Sequence, residues 1–215
     1  MSESAFIPFV EALESLDSVA FRTVMSQKGV RLDVACCNWP LEYPYTPAVT
    51  AYMAYSKSAI AILFEVAESH TRAVEMADNG RVWEDSCVEL FIANPVGEGY
   101  FNFEMNAAKT LLAAKRLSRT EALHFSEDYL AQIVRHGSFD HAPVDIEHQN
   151  SWWAGEVIPF TLLGIESMPE HLYVNIYKCG DCLLQPHFLS WSPITLDKPN
   201  FHCPEFFGTL IAKYE

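Results

Sequence analysis

From about residue 30 onward the apolar residues recur at every second position, and that period makes the chain a succession of strands. Val30–Cys36 alternates and ends at Asn38-Trp39-Pro40. Ala48–Tyr55 follows a proline-rich connection. Ala59–Ala67 is almost continuously apolar, which fits a strand covered on both faces. Residues 86–93 and 100–107 form a predicted hairpin over a Pro/Gly loop. Thr110–Lys115, Tyr129–Val134, Ser151–Ile158, Leu172–Cys179, His187–Trp191 and Phe206–Lys213 complete the strand candidates. Helix is expected only as a short segment within residues 5–25, around SLDSVAFRTVM, and as one turn over Phe160–Ile165 after Pro159. No βαβ rhythm, GxGxxG, P-loop or GxSxG is present. About ten short strands with little helix predict an all-β chain folded as an antiparallel β-sandwich. Residues 28–215 form that sandwich in this reading, with 1–27 as an N-terminal extension packed on it.

The composition permits one such domain. The chain has 215 residues and is half apolar, enough for a sizeable core. Its formal net charge of −14 disfavours nucleic acid, whose affinity is mostly phosphate contact, and anionic lipid, but leaves neutral ligands and cations compatible. Much of that charge is accounted for by a solvated acidic surface. There is no run of about 18 apolar residues, so no membrane span is expected. The acidic start MSESAFIPFVEALESLD lacks the basic leader of a secretion signal. The expected compartment is therefore cytoplasmic, or extracellular or periplasmic if an export signal has been removed. The six cysteines, Cys36, Cys37, Cys87, Cys179, Cys182 and Cys203, read as reduced thiols. Cys179-Gly-Asp-Cys182 lacks the second Cys pair of a zinc site and reads as a tight turn between two strands.

In the hairpin, Val88, Leu90 and Ile92 share one face with Phe101, Phe103 and Met105 from the partner strand. The other face carries Glu89, Asn102, Glu104 and Asn106, with Trp83 at its entrance. Asn175 and Tyr177 alternate with Val174 and Ile176 in the same style. Carboxylates, amides and a phenol beside an aromatic ring suit a sugar, which offers an apolar C–H face and a rim of hydroxyls. Cross-strand pairing on a solvated face explains the same pattern without a ligand. Trp152, Trp153 and Trp191 read as sandwich core.

VWEDSCVELFI followed by YFNFEMNAAKTLL resembles the signature of carbohydrate-binding module family 9-like domains. WWAGEVIPFTLLG, LYVNIYKCGD, LSWSP and NFHCPEFFGTL resemble its later segments in order, over roughly residues 28–215. The resemblance implies a β-sandwich that binds sugar between two aromatic side chains, with polar groups and structural calcium nearby; the expectation here is a stand-alone member. Trp83 matches the first aromatic, and Phe201 stands where the second is a tryptophan. Glu89 matches the signature glutamate, and Glu104 stands where some members carry a cationic residue. Calcium wants several oxygens; Asp78, Asn79 and Asp85 are the nearest in sequence, without an EF-hand loop.

The expected activity is non-catalytic binding of a neutral oligo- or polysaccharide. Trp83 and Phe201 stack the ring, and Glu89, Asn102, Glu104, Asn106, Asn175 and Tyr177 read its hydroxyls, in keeping with polysaccharide catabolism. Two alternatives are a small glycoside hydrolase using Glu89 and Glu104, and a protein-interaction module whose acidic-aromatic face has lost sugar binding.

Overall fold

The computed structural model describes residues 3–212, which form a β-sandwich with one substantial helix. In chain order the elements are β1 Ser4–Ile7, α1 Ser18–Lys28, β2 Val30–Asp33, β3 Cys36–Cys37, β4 Ala48–Tyr55, β5 Ala59–Glu68, β6 Thr71–Ala73, β7 Cys87–Ala93, β8 Tyr100–Asn106 and β9 Leu111–Arg116. There follow β10 Ala122–His124, α2 Glu127–Leu130, β11 Val134–Gly137, β12 Val144–Ile146, β13 Asn150–Pro159, β14 His171–Cys179, β15 Phe188–Ser190 and β16 Gly208–Ala212. A nine-stranded sheet runs β1-β16-β14-β7-β8-β9-β10, with β15 and β3 attached beside β14. A five-stranded sheet runs β11-β13-β5-β4-β2, and β12 pairs with β6. The ladders are antiparallel except β1–β16.

Alternation along the strands builds three apolar layers. Between the sheets, Val88, Leu90, Ile92, Phe101, Phe103, Met105, Val174 and Ile176 meet Met53, Ile60, Ile62, Phe64 and Trp152. Behind the smaller sheet, Phe21 and Met25 of α1 pack on Ala61, Leu63 and Val157. Asp17 starts that helix by accepting from the Val19 and Ala20 amides at 3.0 and 2.9 Å. Outside the larger sheet, Cys87, Phe91, Tyr100, Leu112 and Tyr177 lie under Trp39, Ile194, Phe201 and Phe207 from loops. The face that carries Glu89 and Glu104 is therefore partly roofed by loops.

Several elements differ from the sequence reading. Val30–Cys36 divides into β2 and β3 because the chain crosses there between sheets: β2 pairs with β4 and β3 with β15. Residues 129–134, predicted as a strand, begin inside α2, whose first turn carries Glu127 and Asp128, favourable at a helix N-terminus. The N-terminal segment contributes β1 to the large sheet as well as α1, so these residues are woven into the sandwich. Cys179-Gly-Asp-Cys182 does not close a tight hairpin; residues 180–187 separate β14 from β15. Lys213, the last residue of the predicted final strand, lies outside the described residues. Trp152 and Trp191 are buried, whereas Trp153 faces the helix side and is half-buried under Arg22, 5.5 Å from its ring centroid.

Beneath the core lies a buried polar knot. Lys178 Nζ pairs with Glu68 at 2.9 Å and donates to the Cys179 carbonyl at 2.8 Å. His187 Nε2 lies 2.8 Å from the same ammonium, and the Trp152 indole donates to Glu68 at 2.7 Å. Burial, then the Lys178 charge, push His187 down to about 2, so it is neutral and accepts from Lys178.

Candidate functional site

Under the loop roof of the large sheet lies a hollow of about 330 Å³, at the low end of the ~300–1,000 Å³ usual for small-ligand sites. Its floor holds Glu89 and Glu104, which face each other directly across β7 and β8. Trp83, Cys179, Asp181, Phe188, Pro199, Asn200, Phe201, Arg116, Arg119 and His202 line the rest.

The sequence explains why the Trp83 wall stands where it does. A short 3-10 turn over Val82–Glu84 leads into β7. Asp85 ends it by accepting from Arg72 at 2.6 Å and from the Val74 and Glu75 amides at 2.9 Å. The Trp83 and Glu84 carbonyls take the Asp181 and Cys182 amides, both at 3.1 Å, which ties this turn to the loop after β14. Trp83 is left half-exposed, with the Arg81 guanidinium 5.9 Å from its ring centroid. The Phe201 part of the lining is backed by Tyr177. The Tyr177 ring lies flat on Phe201, centroids 4.1 Å apart and planes within 6°, and its hydroxyl donates to the Phe201 carbonyl at 3.0 Å. Asn175 donates to the Ser192 carbonyl and accepts from the Ser192 amide, at 3.0 and 2.9 Å, anchoring the loop that carries Phe201.

The floor is electrostatically loaded. Glu89 and Glu104 are only 3% and 4% exposed. Burial raises both acids, with Glu104 pushed to about 7, and the nearness of Glu104 raises Glu89 further. Like charges this close favour a pair that holds at least one proton near neutrality. Asn102 donates to Glu104 at 2.7 Å and accepts from Arg116 Nε at 2.8 Å, so the cation acts through an amide relay. Arg116 also donates to the Arg119 carbonyl at 2.9 Å. Burial, with Arg116 and Arg119 nearby, pushes His202 down to about 3, so it is neutral beside the Tyr100 hydroxyl at 2.9 Å.

Of the residues expected from sequence, Trp83, Glu89, Glu104 and Phe201 line one hollow. Asn102, Asn175 and Tyr177 are fully buried beneath or beside it and hold its parts in place. Asn106 stands apart: its amide spans the Glu75 carbonyl, Asp85, and the Ala108 and Thr110 amides. Arg116, Arg119, Asp181, Phe188, Pro199 and Asn200 were not anticipated. Arg116 was within reach of the alternation, since it shares the parity of Leu112 and Ala114 opposite Glu104 and Asn102. The loop residues carried no such periodic signal. The calcium candidates do not form an oxygen cage. Asp85 is spent on Arg72, Asn106 and two amides, and Asp78 on Arg135 at 2.8 and 2.7 Å and the Leu111 amide. Donors and cations fill the positions a calcium ion would need, so these residues do not fit that metal.

The family model of carbohydrate-binding family 9 matches residues 20–212. The chain belongs to that family. Among solved structures, a candidate carbohydrate-binding protein from Bacteroides uniformis ATCC 8492 is 35% identical, with a TM-score of 0.93 over 99% of this chain and 100% of that one. Two structures of a family 9 module from Caldicellulosiruptor kristjanssonii share the fold at 9% identity. One is complexed with glucose, with a TM-score of 0.61 over 99% of this chain and 97% of that one. The other is complexed with cellotriose, with a TM-score of 0.62 over 99% and 95%. No curated protein matches the chain. Among the described residues, no helix of this family 9 chain is long and apolar enough to cross a membrane.

Proposed function

We propose that the hollow binds a neutral sugar ring without transforming it, and that this serves the capture of polysaccharide or its fragments. The observation that carries this reading is a half-exposed tryptophan and a rigidly backed phenylalanine lining the same hollow as two carboxyls and two guanidiniums. The aromatic faces take the C–H side of a ring, while Glu89, Glu104, Arg116 and Asn200 offer acceptors and donors to its hydroxyls. The glucose and cellotriose held in the two Caldicellulosiruptor structures support the ligand class. A hollow this small holds one or two rings, and binding is expected to be weak because few groups are desolvated.

The hydrolase alternative needs two carboxyls placed on opposite sides of a glycosidic bond. Glu89 and Glu104 are neighbours on one sheet face and approach an occupant from one side. A concave hollow rather than a flat apolar patch also disfavours a protein-docking face. The test is a tryptophan-fluorescence titration with glucose, cello-oligosaccharides and xylo-oligosaccharides. Saturable quenching or enhancement, weakened at least ~10-fold in Trp83→Ala, is expected. No response to any of these sugars by the folded protein overturns the reading.

A further inference from the structure

Just below the floor, Cys87 and Cys179 oppose each other directly on β7 and β14, and Glu89 lies two residues along β7 on the same face. Their ligand atoms all fall within 4.8 Å of one another, and all three side chains are buried. The Cys179 thiol already donates to Glu89 Oε1 at 3.1 Å. Two sulfurs and one carboxylate oxygen converging in this way are donor types that zinc takes, at metal–sulfur and metal–oxygen bonds of about 2.3 and 2.0–2.2 Å. The strands supply the rigidity, because each donor is fixed by a sheet position and not by a loop.

A second observation points to a cation at this place. Glu89 and Glu104 are buried side by side, and among the described residues no positive group makes an ion pair with Glu89. Arg116 reaches the pair through Asn102. Lys178, the cation nearest in sequence to Cys179, turns to the other side of the sheet and is spent on Glu68 and His187. Burying a carboxylate is costly unless it is protonated, paired or bound to metal.

We infer that Cys87, Cys179 and Glu89 form a binding site for a zinc-type thiophilic divalent cation at the base of the hollow. These three donors leave one position of a tetrahedron for a further ligand. As the metal enters, each thiol gives up its proton and becomes a thiolate donor. The hard oxygen-seeking ions are poor competitors here, since two of the three donors are sulfur. This inference rests on the three donors and not on the sugar reading, although both draw on Glu89.

Cobalt(II) titration of the full chain, reduced and stripped with chelator, tests the assignment. Thiolate-to-cobalt charge-transfer absorption at a stoichiometry of one, bleached by zinc, is expected. Cys87→Ser and Cys179→Ser should each remove much of that absorption and weaken zinc binding on the order of a hundredfold or more. Cys182→Ser, at an exposed thiol outside the trio, should change neither. Glu89→Gln, which keeps both thiols, should retain the absorption with weaker affinity, and circular dichroism checks that each variant is folded. Absence of charge-transfer absorption in the folded wild type refutes the site. So does absorption that survives both Cys87→Ser and Cys179→Ser but disappears in Cys182→Ser.

Discussion

Replacing Glu156 with glutamine should stabilise the protein, and only at neutral and alkaline pH. On β13, Glu156 shares the face of Trp152, Ala154 and Ile158 and so points between the two sheets. It is 2% exposed, and its Oε2 finds no donor among the described residues. Arg135, its register partner on β11, spends its guanidinium on Asp78 and the Lys109 carbonyl. Burial raises the carboxyl from its ordinary 4.5 to about 7. The folded protein therefore holds this proton more tightly than the unfolded chain does. The resulting stabilisation is complete below about pH 4.5 and lost as pH rises through about 7. A rise from 4.5 to about 7 corresponds to about 3 kcal/mol. Glu156→Gln removes the ionisable group, so variant and wild type should differ little near pH 4.5. Near pH 8 the variant should be more stable by about 3 kcal/mol, or roughly 6–12 °C in melting temperature for a chain of this size. Parallel urea and thermal unfolding of both proteins from pH 4.5 to 8.5 measures the difference. A stability difference that stays constant across that range would refute the argument that an ionised Glu156 strains the core.

The other predictions concern the buried knot, the roof, a close contact and the carboxylates. Lys178→Met should cost about 3–5 kcal/mol in urea unfolding by leaving Glu68 buried and unpaired, and adding Glu68→Gln should recover part of the loss. Asn175→Ala removes the anchors of the Ser192 segment and should cost about 1–3 kcal/mol, with faster amide hydrogen exchange in residues 192–207. Gly155→Ala should cost about 1–3 kcal/mol, because the new Cβ would lie 2.5 Å from Phe21 Cε1 and 2.8 Å from the Ile62 carbonyl; restored stability in Gly155→Ala combined with Phe21→Leu would confirm the clash. Added calcium should leave the melting temperature unchanged, since Asp78 and Asp85 are already spent on arginines and amides.

The sandwich was legible because strands announce themselves by period two wherever one face meets the core. Ala48–Tyr55 and residues 87–93 and 100–106 occupy their expected places, and Val88, Leu90 and Phe103 turn to the inter-sheet core as their parity requires. Short strands escaped for the opposite reason: β10 is exposed throughout and buries nothing that could impose a period. At the site, alternation located the floor and the resemblance located the walls. Alternation alone could not show that the outer face is roofed, because Trp39, Ile194 and Phe201 reach it from loops distant in sequence. That roof is why Asn175 and Tyr177 hold a loop in place instead of lining the hollow. Nor could parity separate a glutamate on the floor of a hollow from one whose Oε2 finds no donor among the described residues between the sheets, as Glu89 and Glu156 show.

The parallel ladder between β1 and β16 bears on how the domain carries tension. Ser4 aligns with Thr209 and Ile7 with Ala212, so β1 and β16 run in the same direction at the edge of the large sheet. A pull applied upstream of Ser4 and downstream of Ala212 drags these two strands past each other along their axes. Their hydrogen bonds are then stretched together instead of being unzipped singly. A module anchored at both ends, with one end on a surface under flow, would meet that load at its most resistant seam.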